Sequence, residues 1–483
     1  MMRWITRYHP RFVRSLVYMM QAAEYRPREY LAWYARVQDF RHVEYRKRLK
    51  FSGKAIALLA IALVIVLPVL FVAVWGISLH DDVPHVVGLG LLILLPLLLP
   101  YLLLIPLVFL NLAQKPIEAF ILSKARKILI KHKALRIAIA GSYGKTSMRE
   151  ILKTLLSEGK KVAAPPESRN TPLGIARFVQ TLKGDEDILI FELGEYYSGD
   201  IKKLSEFVEP SIGIITGVNE AHLEKFKTTD STAHTIFELA DFIKQPNHSN
   251  ILKNIRMMYV NAEDAIAQDH ALPEDILYDR TQAGGIVAER ETTSLDGTSF
   301  TLRIGAESMN VHTKLLGLHH VGPLLAAAHI AKRLGLTNEQ IVAGIQKTRP
   351  FEYRLNPRID GGVTVLDDSY NGNPAGVKAV IDFLASIRGH RRWYVTPGLV
   401  EMGSRKEEIH EAIGTQLAAK GIEKVLLIRN SVTQYIEEGL KREGFKGDII
   451  WYEDALKAYS ALPHMTLPGD VVVLQNDWPD QYA

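Results

Sequence analysis

The heptapeptide Gly141–Ser147, GSYGKTS, sets one ammonium group, three aliphatic hydroxyls and two glycines side by side. That combination suits the phosphates of a nucleotide. Gly141 and Gly144 let the backbone curl so that its N–H groups, with Ser142 among them, converge on an anion. A helix beginning at the loop would add the positive end of its dipole. Lys145 would reach the β- and γ-phosphates, and a hydroxyl of Thr146 or Ser147 would hold Mg²⁺. The longer form of this loop has a glycine five residues before Gly144, where this chain has Ile139. A chance GKTS in an ordinary loop is the alternative, and the apolar run before it and helical pattern after it argue against that.

Such a loop must be carried by a buried strand. RIAIA before it supplies one, and MREILKTLL after it has the period of an amphipathic helix. Further along, Ile188–Phe191 and Ile212–Thr216 are short β-branched runs of the kind buried in a parallel sheet. In such sheets, ligand groups come from the carboxyl ends of strands. Glu192 and His222 lie at or just beyond two such ends and are suitable Mg²⁺ ligands, directly or through water. Taken alone, Glu192 reads equally as a surface acid and His222 as a loop residue. From Phe351 the pattern restarts: VTVLDDSYNGNP gives a strand, the Asp367–Asp368 pair and a turn. Strands are expected at Trp393–Thr396, Lys424–Ile428, Ile449–Tyr452 and Val471–Leu474, with helices between them. The fold class is therefore α/β, a phosphate-loop parallel-sheet domain followed by a Rossmann-like domain.

Ahead of these lie two uncharged apolar runs, Ala55–Ile77 and Val86–Leu112. Each exceeds the roughly 20 residues that cross a hydrocarbon core, which predicts a two-helix transmembrane hairpin kinked at Pro68, Pro96, Pro100 and Pro106. Both flanks are rich in Lys and Arg, whereas the connecting SLHDDVPH has neither. This predicts a multi-pass protein of the inner, cytoplasmic membrane with both termini and the phosphate loop in the cytoplasm. The basic, aromatic N-terminal segment would lie on anionic lipid, and RNA binding is not needed to explain it. The expected divisions are 1–53 (basic segment), 54–112 (hairpin), 113–133 (linker), 134–350 (nucleotide domain) and 351–483 (C-terminal domain). The net charge of +5 arises largely near the spans and says little about substrate. Absence of cysteine excludes disulfides, thiol catalysis and cysteine-bound metals.

GSYGKTS, FELGE, NEAHLEKF, LLGLHHVGPLLAAAHIAKRLGL, EYRLNP, DDSYNGNP and GLVEMGSRKEEIH occur here in an order and spacing that resembles the Mur ligase family. DDSYN-x-NP and E-x-G-x₆-H are most similar to the members that add D-alanyl-D-alanine to a muramoyl tripeptide. The resemblance implies an ATP- and Mg²⁺-dependent amide ligase of cell-envelope biosynthesis. It implies catalytic roles for Lys145, His222 and Arg354. It also implies nucleotide contacts from Gly141, Ser142, Gly144, Lys145, Thr146, Ser147, Arg354 and Asp368, and metal ligation by Thr146, Glu192 and His222. The implied partners are ATP, a UDP-linked or lipid-linked envelope precursor, an amine such as D-alanyl-D-alanine, and membrane lipid, with no nucleic acid.

Departures from the family pattern are also visible. Ile236 stands where the family has a carbamylated lysine, with Glu238 opposite its glutamate; Pro323 replaces an adenine-binding Asn; and QNDWPDQY replaces a K-G-S element. No candidate UDP-sugar domain is recognisable. A ligase for another carboxylate such as a folate or polyglutamate, an amidating synthetase paired with a glutaminase, and an ATP-binding membrane scaffold are the competing readings.

Overall fold

In the computed structural model, which describes residues 2–44, 48–79, 82–166, 169–219, 228–245, 255–370, 372–400 and 402–476, the chain divides into two units, Met1–Phe120 and Ile121–Asp477. In the second unit, β1 (Leu135–Ala140) is buried along its whole length. Its one charged residue, Arg136, is accommodated because its guanidinium donates to the Val208 carbonyl at 3.0 Å. Around it stand β2 (Val162–Ala163), β3 (Ile188–Glu192), β4 (Ile212–Ile215), β5 (Met257–Asn261) and β6 (Ile276–Tyr278), all parallel, in the order β2-β3-β1-β4-β5-β6. Helices cover both faces. Met148, Leu152 and Leu325 pack on one side and Ile175, Leu204 and Leu239 on the other. The register pairs Ile139 with Glu192 and Ala140 with Ile215, so the carboxyl ends of β3, β1 and β4 finish level. Gly141, Glu192 and Thr216 therefore share one edge.

The same sheet continues antiparallel through β7 (Gln282–Ala283), β8 (Ile286–Ser294), β9 (Gly297–Ile304) and β10 (Glu307–Thr313). These hairpins turn at Gly297 and Gly305, both at positive φ, the conformation glycine adopts most readily. Among the described residues a second sheet has six strands: β11 (Asn356–Asp360), β12 (Val363–Asp368), β13 (Arg392–Thr396), β14 (Lys424–Ile428), β15 (Asp448–Tyr452) and β16 (Val471–Gln475). Their order is β11-β12-β16-β13-β14-β15, with only the edge strand β11 antiparallel. Pairing of β12 with β16 sets Asp368 directly beside Gln475.

The first unit is helical. Gly53–Ser78 and the run Asp82–Lys131 are long and apolar enough to cross a membrane by length and composition. The run is interrupted at Leu103, because Pro106 offers no N–H to the Leu102 carbonyl. Its last helix, Leu104–Lys131, contains most of the stretch expected as a linker at 113–133, and its final turns place Ala125 and Leu129 in the second unit's core. The N-terminal aromatics also depart from expectation. Phe12, Tyr18, Tyr30, Trp33, Tyr34 and Phe40 are buried in a core shared with Leu58 and Leu103. Rings from two short amphipathic helices, Phe12–Ala22 and Pro27–Arg36, pack into this core, whereas Trp4 and Tyr8 stay exposed.

Candidate active site

Three contacts set the shape of the phosphate loop. Ser142 N–H donates to the Gly217 carbonyl (2.9 Å), Asn219 N–H donates to Ser142 Oγ (3.3 Å), and Thr216 Oγ1 donates to the Tyr143 carbonyl. Gly141 has φ 143° and Gly144 φ 74°. A Cβ at Gly141 would collide with Thr216 Oγ1, so glycine is required by close approach as well as by conformation. Tyr143 turns its hydroxyl away to Asp264 Oδ2 (2.8 Å), which also accepts the Val218 N–H. Gly144 then caps helix Lys145–Leu156, whose first amide groups face the loop.

The charged side chains at this edge form a buried chain. Lys145 Nζ donates to both oxygens of Glu195 (3.0 and 2.9 Å) and to the Gly141 carbonyl. Thr146 Oγ1 donates to Glu192 Oε2 (3.2 Å), and Arg149 holds Glu192 Oε1 at 2.8 Å. Burial raises the Glu192 pKa, opposed by Arg149, Lys145 and Thr146. A carboxylate and a hydroxyl within contact distance are hard oxygen donors of the kind Mg²⁺ takes together with phosphate oxygens and water, so these residues fit that ion.

Two further groups reach the site from the second sheet. Asp368, at the end of β12, accepts the Leu355 N–H (3.0 Å) and the Gln475 amide (2.7 Å), and burial raises its pKa. Arg354 donates to the Tyr370 carbonyl (2.7 Å) and lies over the Tyr370 ring. Tyr353 and Leu355 on either side of it have positive φ, 60° and 46°. Arg354 lines the cleft from between these two strained positions. Between the two sheets lies a cavity of about 420 Å³, within the range of small-molecule sites. Tyr143, Ser147, Asn261, His319, Arg354 and Asp368 contribute to its wall. Burial, with Arg280 nearby, lowers the His319 pKa to about 4, so the ring is neutral at physiological pH.

The structure thus brings together Gly141, Ser142, Gly144, Lys145, Thr146, Ser147, Glu192, Arg354 and Asp368. His222 lies outside the described residues. Glu238, opposite the family glutamate, has its oxygens committed elsewhere: they accept Gly199 N–H and Lys202 N–H (2.9 Å each) and cap helix Asp200–Val208, while neighbouring Ile236 is core. Pro323 lines the cavity from the first turn of helix Val321–Arg333, where a missing N–H costs little. Sequence reasoning overlooked Glu195, Arg149 and Gln475. FELGE signalled Glu195 only by its proximity to Glu192; QNDWPDQY, singled out as a departure, begins at Gln475 but did not reveal its partner Asp368, which is set by strand register.

A strand, glycine loop and helix at the carboxyl edge of a parallel sheet, facing a second α/β sheet across a cavity, define a two-lobed phosphate-loop protein. Residues 139–331 match the Mur ligase middle domain and residues 353–475 the Mur ligase, glutamate ligase domain. The chain belongs to the Mur ligase family, whose members are ATP-dependent ligases. It is 30% identical over 305 residues to the UDP-N-acetylmuramoyl-tripeptide--D-alanyl-D-alanine ligase of Mycobacterium tuberculosis, a match covering 60% of this chain and 58% of that protein. The chain thus spans somewhat under two thirds of that relative. MurF from Acinetobacter baumannii has the same fold, with TM-score 0.63, 21% identity and coverage of 74% of this chain and 77% of that one. So does the MurF ligase of Thermotoga maritima in complex with ADP, with TM-score 0.64, 21% identity and coverage of 74% and 80%.

These relatives correct the expected localisation. Homologous MurF enzymes are soluble cytoplasmic proteins, and two apolar helices identified by length and composition do not establish a multi-pass inner-membrane protein.

Proposed function

We propose that this chain is a peptide-bond-forming ligase of peptidoglycan precursor synthesis that joins D-alanyl-D-alanine, or a similar amine, to the carboxylate of a muramoyl-peptide precursor. One observation carries the reading: Gly144 and Ser147 of the phosphate loop and Arg354 and Asp368 from the second sheet line the same cavity, and Glu192, bonded to Thr146 beside the loop, feels the Arg354 charge. Relatives named for that reaction give the substrate class.

In this reading a carboxylate oxygen attacks the γ-phosphorus, ADP departs, and an acyl phosphate remains. The amine nitrogen then attacks the acyl carbon, loses a proton, and inorganic phosphate leaves. Phosphoryl transfer needs positioning and charge neutralisation more than covalent help from the protein. Lys145 would exchange Glu195 for the β- and γ-phosphates. Arg354 would meet phosphate from the opposite wall, and Asp368 would accept a ribose hydroxyl. Thr146 and Glu192, joined by His222 as the family resemblance implies, would hold Mg²⁺, which when bound would supply charge neutralisation at the phosphate oxygens. Water would be excluded as the second sheet closes over the nucleotide.

Incubation of the purified protein with ATP, Mg²⁺, UDP-N-acetylmuramoyl-tripeptide and D-alanyl-D-alanine tests this. Phosphate release dependent on both co-substrates, with the pentapeptide product seen by mass spectrometry, is expected. ATP turnover indifferent to either co-substrate overturns the reading.

A further inference from the structure

Away from the cavity, three side chains that the ligase chemistry does not use meet on the surface: Asp230, His234 and His270, whose ligating atoms all lie within 4.8 Å of one another. Asp230 and His234 stand one turn apart in helix Thr229–Lys244, so they share a face. His270 ends the short helix Ala265–His270. His234 Nε2 lies 3.4 Å from Asp230 Oδ2, and His270 Nε2 lies 3.8 Å from Asp230 Oδ1. Tetrahedral coordination at about 2.0–2.1 Å places ligand atoms about 3.4 Å apart, so only small side-chain rotations separate this cluster from a coordination shell.

Orientation supports the same conclusion. His270 Nδ1 is 2.9 Å from the Ile266 carbonyl. A carbonyl accepts only from N–H, so Nδ1 carries a proton and Nε2 is the ring nitrogen turned to Asp230. A metal-binding imidazole is commonly fixed by such a second bond, which sets its tautomer. Phe237 packs 5.3 Å from the His270 ring, and the His234 and His270 rings meet edge to face at 5.6 Å.

We infer that Asp230, His234 and His270 form a site for a Zn²⁺-class transition ion, with two imidazole nitrogens and one carboxylate oxygen from the protein and the remaining position open to water. Imidazole and carboxylate donors at this spacing suit Zn²⁺ better than Mg²⁺, which demands oxygen ligands in octahedral array. The ion fastens helix Thr229–Lys244 to helix Ala265–His270. The latter begins at its cap Asp264, the residue that holds Tyr143 of the phosphate loop.

The test is metal titration of the full chain after chelator treatment, read by calorimetry with Zn²⁺ and by visible absorption with Co²⁺. Wild type is expected to take up one equivalent with a four-coordinate Co²⁺ spectrum and to melt at higher temperature when Zn²⁺ is present. H234A and H270A each should weaken binding at least tenfold and lose the Zn²⁺-dependent rise in melting temperature. His234 is 72% exposed, so H234A keeps the fold and circular dichroism verifies it. No uptake by wild type, or equal uptake and an equal melting shift in H234A and wild type, overturns the site.

Discussion

At the edge of the first sheet, beside the cavity, charge answers charge: Lys145 lies against Glu195, and Arg149 against Glu192. On the wall from the second sheet, Asp368 is held by an amide N–H and a carboxamide, and Arg354 by a carbonyl and a ring. The difference is physical. The groups at the first sheet are fixed by buried ion pairs, whose geometry is costly to disturb. The hydrogen bonds at the second sheet are made with neutral partners, each worth less and more easily remade. A side-chain bond, Asn219 Nδ2 to Asn373 Oδ1 at 2.9 Å, joins the loop after β4 to the turn after β12. The first wall should therefore govern stability and chemistry, and the second the affinity for nucleotide.

The comparison breaks most sharply at Arg149. Its side chain is 1% exposed and its partner Glu192 2%, so R149A removes the largest compensating charge from a buried carboxylate. A loss of about 3–5 kcal/mol is expected from removing one partner of a buried pair. Chemical denaturation measures it, and a loss below about 1 kcal/mol would show that the pair is not a fixed element. Next comes K145A, expected to slow ATP turnover by a factor of several hundred, about 3–4 kcal/mol of transition-state stabilisation. Turnover near the wild-type rate in a folded K145A protein removes Lys145 from the site.

How much of this was legible beforehand follows the range of the interactions. GSYGKTS announced its geometry because a phosphate loop is made by consecutive backbone groups. The strands carrying it were also legible, since burial on both faces leaves uninterrupted apolar runs. Glu195 and Gln475 were not legible: each acquires meaning only from a partner 50 or 107 residues away. The hairpins β8–β10 escaped because half-exposed antiparallel strands such as IVAERETTS carry little apolar signal. At the N-terminus, composition revealed rings and charges but not that Trp33 would meet Tyr18 at 6.1 Å.

On the second wall, Gln475 offers the finer test. Q475A removes a 2.7 Å donor to Asp368, a hydrogen bond to a charged group worth about 1.5–3 kcal/mol. If Asp368 meets the nucleotide, KM for ATP should rise about tenfold or more while kcat changes little. An equal fall in kcat with KM unchanged would instead place Asp368 in the transition state, and the contrast between the walls would fail.

The smallest effect concerns protons, and it reaches both lobes. His320, beside the cavity, and His410, in helix Lys406–Ala419, are both buried with pKa values lowered chiefly by desolvation. His410 Nε2 accepts the Leu399 N–H at 2.8 Å while Nδ1–H donates to the Lys406 carbonyl, an arrangement that only the neutral ring can make. The native state thus refuses a proton that the unfolded chain accepts below its ordinary pKa of about 6.5, so stability is full above that value and falls as pH drops below it. Each such histidine contributes about 1.4 kcal/mol per pH unit in that window. In H410Q, which keeps an acceptor for Leu399 without titrating, stability should decline less steeply between about pH 6.5 and 5.5, by one proton's worth. Denaturation of wild type and H410Q at several pH values measures the slopes, and parallel slopes would show that His410 takes up its proton within the folded lobe.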